Sequence, residues 1–188
     1  MISDDGKKKL SVKLYRYTRT TNIVQGLAGG TGDLKELIHS YHRRCERFLH
    51  QKPKHPTILV VDNDQGSKGK QGVFAAAKIV SKLPVVDGTS LFYHIIDNLY
   101  LVPTPLLPPG KDSMIEDFLE PSVRKTILNG KTLNLDEKSF DPKKNYGKTI
   151  FAKYVVQRGA TKIKFDGYKP LLDAINASIE DYKLKLAP

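Results

Sequence analysis

The chain has 188 residues, with 31 Lys and Arg against 20 Asp and Glu, and its formal net charge of +11 favours a polyanionic partner such as nucleic acid. The single cysteine, Cys45, excludes an internal disulfide framework and a cysteine-rich zinc site. No signal peptide or membrane-spanning run is present, so we expect a cytoplasmic protein without a membrane partner. The length suits one domain, 1–188, with residues 1–9 flexible.

The N-terminal third is expected to contain two strands and a helix. Apolar alternation predicts a strand over Leu10–Thr18 and a shorter one over Thr21–Gln25, and this abrupt start is compatible with a fragment of a longer polypeptide. The glycine-rich loop Gly26–Asp33 then leads into a helix of about Asp33–Gln51. Backbone N–H groups at Gly29, Gly30 and Gly32 could bind a phosphate at the start of this helix, although a tight strand-to-helix turn is the simpler explanation of the glycines.

A short apolar run followed by two acids is the most informative pattern in the chain. Ile58–Val61 predicts a central strand that is buried on both faces, and Asp62 and Asp64 follow it directly. Alternate side chains of extended backbone point the same way, so the two carboxylates are expected to converge at the carboxyl end of the strand. Carboxylates that share a site repel unless a cation lies between them, and oxygen ligands suit Mg²⁺ or Mn²⁺. The alternative is an ordinary polar turn.

The segment after these acids is predicted to be a loop, a helix and a hairpin. Gly66–Gly72 forms the loop, in which Lys68 and Lys70 are candidates for contacts to a nucleic-acid backbone or for plain solubility. Val73–Leu83 is predicted to be helical. Phe92–Val102 is predicted to supply one or two strands, with a hairpin-like break near Asp97-Asn98.

Three helices are predicted in the C-terminal half. Ser113–Leu119 has Ser113 at the N-cap and Glu116 at the third helical position, a capping-box pattern, and 121–146 forms a peripheral insertion of turns and short strands. The other helices are Gly147–Gln157, with Ile150, Phe151, Tyr154 and Val155 inward, and Tyr168–Leu184, with Leu171, Leu172, Ile175 and Ile179 inward. Strands that alternate with helices predict an α/β fold with a mainly parallel sheet.

This order of elements resembles the Toprim domain of topoisomerases, primases and overcoming-lysogenization-defect (OLD) nucleases. Asp62-Asn63-Asp64 matches the Asp-x-Asp motif of that family. Several segments are most similar to the Toprim region fused behind some bacterial retron reverse transcriptases. They are Leu27–Leu34, Val60–Asp64, Leu99–Pro103, Ile115–Phe118, Tyr146-Gly147-Lys148 with Phe151-Ala152, and Phe165–Pro170.

The resemblance implies a Toprim-like, Rossmann-like sheet flanked by helices and a metal-dependent nuclease that hydrolyses phosphodiester bonds of DNA or RNA. Asp62 and Asp64 would bind Mg²⁺ or Mn²⁺. Glu116 would be a further ligand, since OLD nucleases use an acid beyond the Asp-x-Asp motif, although an acid at a helix start is commonly a capping residue. Lys148 would stabilise charge on the phosphate, although it could also be one solvated lysine of a lysine-rich stretch.

One position departs from the family pattern. Toprim enzymes carry a catalytic glutamate at the end of the first core strand, and Gln25 stands there in this chain. A glutamine can bind a metal through its carbonyl oxygen, but it cannot transfer a proton near neutral pH. Asp33 could supply the missing carboxylate, Glu116 or Asp117 could do so, or the domain could bind nucleic acid without cleaving it.

Two functions therefore remain open. In the first, the chain is the toxic nuclease of a retron antiphage defence system, held inactive by the reverse transcriptase and its msDNA or noncoding RNA, in cis or in trans. In the second, the chain is a non-catalytic module with a degenerate Toprim site that binds nucleic acid or protein. The second function predicts salt-sensitive binding without turnover.

Overall fold

The computed structural model describes residues 31–47, 51–70, 72–136 and 138–187. Several sequence predictions lie outside these residues: the flexible segment 1–9, the strands Leu10–Thr18 and Thr21–Gln25, and the candidate site residues Gln25 and Gly30.

The described part of the chain is a mixed α/β structure in which helices surround small sheets. Its strands are β1 (Thr57–Val61), β2 (Tyr93–Ile96), β3 (Leu99–Pro103), β4 (Thr132–Leu133) and β5 (Asn145–Tyr146). Its α-helices are α1 (Thr31–Arg47), α2 (Gln65–Lys68), α3 (Val73–Ser81), α4 (Pro121–Arg124), α5 (Lys148–Ile150), α6 (Gln157–Gly159) and α7 (Lys169–Leu186). A π-helix (Phe151–Val156) joins α5 to α6, and 3₁₀-helices cover Ile115–Phe118 and Asp166–Tyr168.

The main sheet has the strand order β1-β3-β2, in which β1 is parallel to β3 and β2 is antiparallel to it. The predicted hairpin is confirmed, because β2 and β3 are joined at Asp97 and Asn98, where Asp97 has a φ of +49°. A connection this short forces an antiparallel pair. The sheet is therefore small and mixed rather than mainly parallel.

The strand buried on both faces is β3 rather than β1, so this part of the prediction is wrong. All five residues of β3 are buried, whereas Val60 in β1 is 36% exposed. Among the described strands, β3 lies in the centre and β1 lies at an edge. The apolar run therefore predicts that β1 is a strand, but it does not predict whether that strand is central or at an edge of the sheet.

Helices cover both faces of the sheet. On one face, Leu99 and Leu101 of β3 join Ile38 of α1 and Phe74 of α3 in the largest buried apolar cluster. On the other face, Val102 packs with residues of α7, among them Leu171 and Ala174. The alternation follows from the period of two in a strand. None of the described helices is long and apolar enough to cross a membrane.

The last helix buries Leu171 as predicted, but the other members of its buried row differ from the prediction. Leu171, Ala174, Ser178 and Tyr182 are buried at intervals of three and four, and this row faces the sheet. Leu172 was expected to point inward but is 56% exposed, because it lies one position beyond that row.

The predicted helix Gly147–Gln157 is a continuous helical segment over 148–159 with the π-helix in its middle. Phe151 and Val155 are buried as predicted, in a second apolar cluster with Leu119 and Tyr146. Ile150 and Tyr154 were expected to point inward and are exposed instead. Ile150 and Tyr154 each lie one position before a buried residue, so a buried row formed by Phe151 and Val155 leaves both outside it.

Candidate functional site

The candidate site lies at the carboxyl end of the parallel pair β1 and β3, and Asn63 organises the backbone there. Asn63 is fully buried; its backbone N–H donates to Thr104 Oγ1 at 2.9 Å, and its Nδ2 donates to the carbonyls of Gly88 and Thr104 at 2.8 and 2.9 Å. A short antiparallel bridge to Ser113 adds two backbone hydrogen bonds. Because Asn63 points inward, the side chains on either side of it point outward.

Asp62 is fixed by a backbone donor. Its Oδ1 accepts the N–H of Ile115 at 2.8 Å, which connects the end of β1 to the start of the 3₁₀-helix. Its Oδ2 is 3.4 Å from Lys148 Nζ. One carboxylate oxygen therefore positions the side chain, and the other faces a cation.

Glu116 does not act as the capping residue that the sequence pattern predicted. The 3₁₀-helix begins at Ile115, and Asp117 caps it by accepting the N–H of Met114 at 2.9 Å. Ser113 is buried instead, within 2.7 Å of Thr104 Oγ1, because its backbone pairs with Asn63. Glu116 is thereby left to face the site.

The Glu116 carboxylate is largely buried, and only one of its two oxygens contacts a polar partner among the described residues. Its residue is 7% exposed, its Oε1 is 3.0 Å from Lys148 Nζ, and its Oε2 is buried without a hydrogen-bond partner among the described residues. Nearby, the Tyr168 hydroxyl donates to the carbonyl of Ile115 at 3.0 Å. Burial and then the charge of Glu116 raise the pKa of Tyr168, so this hydroxyl stays protonated.

Lys148 joins the two carboxylates from the start of α5. Its side chain is 54% exposed, so the ammonium lies at the mouth of the site. Burial by itself would lower the pKa of Lys148, but hydrogen bonds and charge interactions with Glu116 and Asp62 outweigh it, and the pKa is raised. The ammonium therefore stays charged near neutral pH.

The residues present fit a hard divalent cation. The carboxylates of Asp62 and Glu116 both contact the ammonium of Lys148. Glu116 also has a buried oxygen that accepts no hydrogen bond from any described donor. Mg²⁺ is commonly held by one or two carboxylates, with water and substrate phosphate as the other ligands. The described residues contain no group of three or more His, Cys, Asp or Glu side chains placed to hold a metal.

Asp64 faces a different partner from Asp62. Its Oδ1 accepts the N–H of Ser67 at 2.8 Å, and it caps α2, a short helix within the segment that was predicted to be a loop. No ion pair among the described residues includes Asp64. Asp62 and Glu116 thus share a contact that Asp64 does not.

The two lysines that were predicted to contact phosphate, Lys68 and Lys70, have different surroundings. Lys68 forms an ion pair with Asp112 at 2.5 Å, and Gln65 donates to the same carboxylate at 2.8 Å. The hydrogen bond from Lys68 is the main reason why the pKa of Asp112 lies below its usual range. Lys70 is exposed.

Sequence patterns did not identify the residues that orient the site. Asn63, Thr104 and Asp112 act through contacts between segments that are far apart in the chain. Only Asn63 carried a local signal, since its position between two outward acids on extended backbone places it inward.

No model of a known protein family matches the chain, and no solved structure matches it at a significant level.

Proposed function

We propose that this chain is a divalent-metal-dependent nuclease of the Toprim type that hydrolyses phosphodiester bonds of DNA or RNA. The observation that carries the proposal is the convergence of Asp62 and Glu116 on Lys148, at the carboxyl end of parallel strands. A largely buried carboxylate oxygen without a donor makes the site receptive to a further cation. The resemblance of the segment order to Toprim domains, from which these residues were first selected, also motivates the proposal.

The residues of the site would have separate roles. Asp62 is held by the Ile115 N–H and would offer Oδ2 as a ligand, and Glu116 would offer both of its oxygens. A bound Mg²⁺ or Mn²⁺ supplies an activated water and neutralises charge at the phosphate. Lys148 lies at the mouth of the site and would stabilise negative charge on the phosphate from the solvent side.

The first test is a titration with Mg²⁺ and Mn²⁺ followed by isothermal calorimetry. We expect the wild-type chain to bind and Asp62→Asn to lose that binding. Asp173→Asn is the matched control, because it makes the same charge change at an exposed ion pair on α7. Equal binding by the wild-type and Asp62→Asn chains would remove the metal assignment.

The second test is cleavage of single-stranded DNA, duplex DNA and RNA in Mg²⁺ or Mn²⁺. Turnover by the wild-type chain that is absent from Asp62→Ala supports the nuclease. The same pair of chains tests the biological part of the proposal, which comes from the resemblance to retron-associated Toprim regions. Expression of an active effector should arrest bacterial growth, Asp62→Ala should relieve the arrest, and the cognate reverse transcriptase with its msDNA should suppress it.

One observation favours the second candidate, a non-catalytic binding module. Lys148 already neutralises much of the charge of Asp62 and Glu116, and Asp64 is engaged as a helix cap. Such an ion cluster can stabilise a fold without any metal. This candidate predicts salt-sensitive nucleic-acid binding, no binding of Mg²⁺ or Mn²⁺ in calorimetry, and no cleavage.

A further inference from the structure

A surface outside the Asp62 site concentrates positive charge. The segment between Pro142 and Phe165 contains seven Lys or Arg and no Asp or Glu. Four of these side chains, together with one tyrosine, form what we call the basic strip: Lys153, Tyr154, Arg158, Lys162 and Lys164. All five are exposed.

The local structure explains why the strip faces solvent. Phe151 and Val155 bury one side of the 148–159 helical segment in the second apolar cluster, and Lys153, Tyr154 and Arg158 occupy exposed positions of it. A turn follows, in which the N–H groups of Lys162 and Ile163 donate to the carbonyl of Gly159 at 2.8 and 3.0 Å. Ile163 packs into the same apolar cluster, and the residues on either side of it, Lys162 and Lys164, are exposed.

The charges of the strip are available to a partner. No described carboxylate forms an ion pair with Lys153, Arg158, Lys162 or Lys164. On α7, by contrast, Lys169, Lys183 and Lys185 are each paired with an acid three or four positions away. The lysines on α7 are therefore neutralised by acids of the same helix, whereas the strip carries only positive charge.

An aromatic ring lies within the strip. The Arg158 guanidinium carbon is 4.6 Å from the centroid of the Tyr154 ring, and Lys153 Nζ is 5.5 Å from the same centroid. Tyr154 is 39% exposed even though it carries these contacts. Basic side chains that alternate with aromatic rings are typical of surfaces that bind single strands, where bases stack on rings or guanidinium planes and the phosphates face the cations.

We propose that the basic strip binds single-stranded nucleic acid and leads it to the Asp62 site. Lys148 begins the same helical segment and contacts Asp62 and Glu116, so one helical segment carries both the strip and a residue of the candidate site. A strand that contacts Arg158 and Lys148 would follow roughly 15 Å of helix, at about 1.5 Å per residue. This proposal rests on the nuclease proposal for its purpose, but binding can be measured without catalysis.

The test uses the whole chain in EDTA, with a fluorescent dT20 oligonucleotide as the probe and anisotropy as the readout over a series of salt concentrations. The strip variant is Lys153→Gln/Arg158→Gln/Lys162→Gln. The matched control is Lys54→Gln/Lys78→Gln/Lys125→Gln, which removes the same charge from exposed positions elsewhere. Failure of the nuclease function leaves this assay unaffected, because neither metal nor turnover is required.

We expect the strip variant to lose at least about tenfold in affinity for dT20 at low salt. Its slope of log K against log salt should fall by about 2, since each phosphate contact to a single strand contributes about 0.7. Tyr154→Ala should weaken binding of dT20 several-fold more than binding of a 20-base-pair duplex. Equal losses in the strip and control variants would show an effect of net charge alone and overturn the proposal.

Two further measurements keep the proposal falsifiable if a variant folds poorly. Bound dT20 should protect Lys153, Lys162 and Lys164 of the wild-type chain from acetylation, as read by mass spectrometry, and leave Lys54 and Lys78 reactive. Unprotected strip lysines at saturating dT20 would overturn the assignment. Stronger protection by anionic phosphatidylserine vesicles than by dT20 would also overturn it, because the surface would then suit a lipid headgroup.

Discussion

The carboxylate of Asp62 accepts the backbone N–H of Ile115 at 2.8 Å, one residue before Glu116. This bond links two segments that lie far apart in the sequence, the end of β1 and the 3₁₀-helix. It fixes the Asp62 carboxylate against the backbone next to Glu116. A backbone hydrogen bond therefore holds the two acids near each other in addition to their shared contact with Lys148.

Substitutions of two neighbouring acids on the 3₁₀-helix, Glu116 and Asp117, should have opposite effects on metal affinity and on stability. Glu116→Gln should lower Mg²⁺ or Mn²⁺ affinity by at least about tenfold, because it removes the buried anionic oxygen that we propose as a ligand. Asp117→Asn should keep that affinity but cost about 1–2 kcal/mol in unfolding free energy, because Asp117 caps the helix and pairs with Arg124 at 2.7 Å. Calorimetry and urea unfolding of both variants separate the two roles. Equal losses of metal affinity would contradict the assignment of Glu116.

Lys148→Met should strengthen divalent binding. In the proposed site the ammonium would compete with a metal for the oxygens of Asp62 and Glu116, so its removal should raise Mn²⁺ affinity several-fold. In EDTA the same variant should be less stable by about 1 kcal/mol, since two nearby carboxylates lose their half-exposed partner. Thermal unfolding in EDTA and in Mn²⁺ measures both effects. Lys153→Met is the control on the same helical segment, and a matching shift there would refute the competition.

Substitutions at Gly88 and Gly110 form a matched pair that tests how tightly Asn63 is packed beneath the candidate site. Both have positive φ, +87° and +99°, but a Cβ at Gly88 would lie 2.2 Å from Asn63 Oδ1, whereas none of the described atoms lies within 4 Å of a Cβ at Gly110. Gly110→Ala should cost about 1 kcal/mol from backbone strain alone. Gly88→Ala should cost more than about 2 kcal/mol, because the fully buried Asn63 would have to move. Similar values in chemical unfolding would show that Asn63 is not packed as described.

The contact between β3 and α7 should depend on pH through Asp181. Burial by itself would raise the pKa of Asp181, but hydrogen bonds from Lys185 at 2.7 Å and Tyr100 at 2.6 Å outweigh it and lower the pKa. The unfolded chain, with an Asp pKa of about 3.9, then binds more protons than the folded chain. This contribution to stability is complete above about pH 5 and is lost as pH falls through the folded pKa.

The measurement is urea unfolding at pH 7, 5 and 3. Asp181→Asn should be less stable than the wild-type chain by about 1 kcal/mol at pH 7, and the difference should shrink at pH 3. Asp173→Asn, which alters an exposed ion pair on the same helix, should differ from the wild-type chain by less than about 0.5 kcal/mol at pH 7. A difference for Asp181→Asn that persists at pH 3 would contradict the hydrogen bonds assigned to the carboxylate.

Local periodicity predicted the positions of helices and strands well, but it predicted the burial of their residues less well. The apolar run before Asp62, the hairpin at Asp97 and the helix at Val73 are present where the sequence indicated them. The predicted burial of Val60 was wrong, because burial depends on which strand becomes central, and that is decided by pairing with distant β3.

The candidate site could be predicted in part. The order of segments led to Asp62, Glu116 and Lys148, and the structure brings these three side chains into contact. The capping role was wrongly given to Ser113, because the backbone pairing of Ser113 with Asn63 involves a segment that no local pattern includes. For the same reason the partner of Lys68, Asp112, could not be identified.

The π-helix between α5 and α6 has a consequence for how this chain tolerates insertions and deletions. A single-residue deletion within Phe151–Val156 could restore ordinary α-helical turns, and it would rotate everything on one side of the deletion by about 100° relative to the other. With Val155 still anchored in its apolar cluster, Lys148 would then point away from Asp62. The extra residue of the π-helix therefore lets one helical segment bury Val155 and direct Lys148 toward Asp62 at the same time, and its loss would break the second contact while keeping the first.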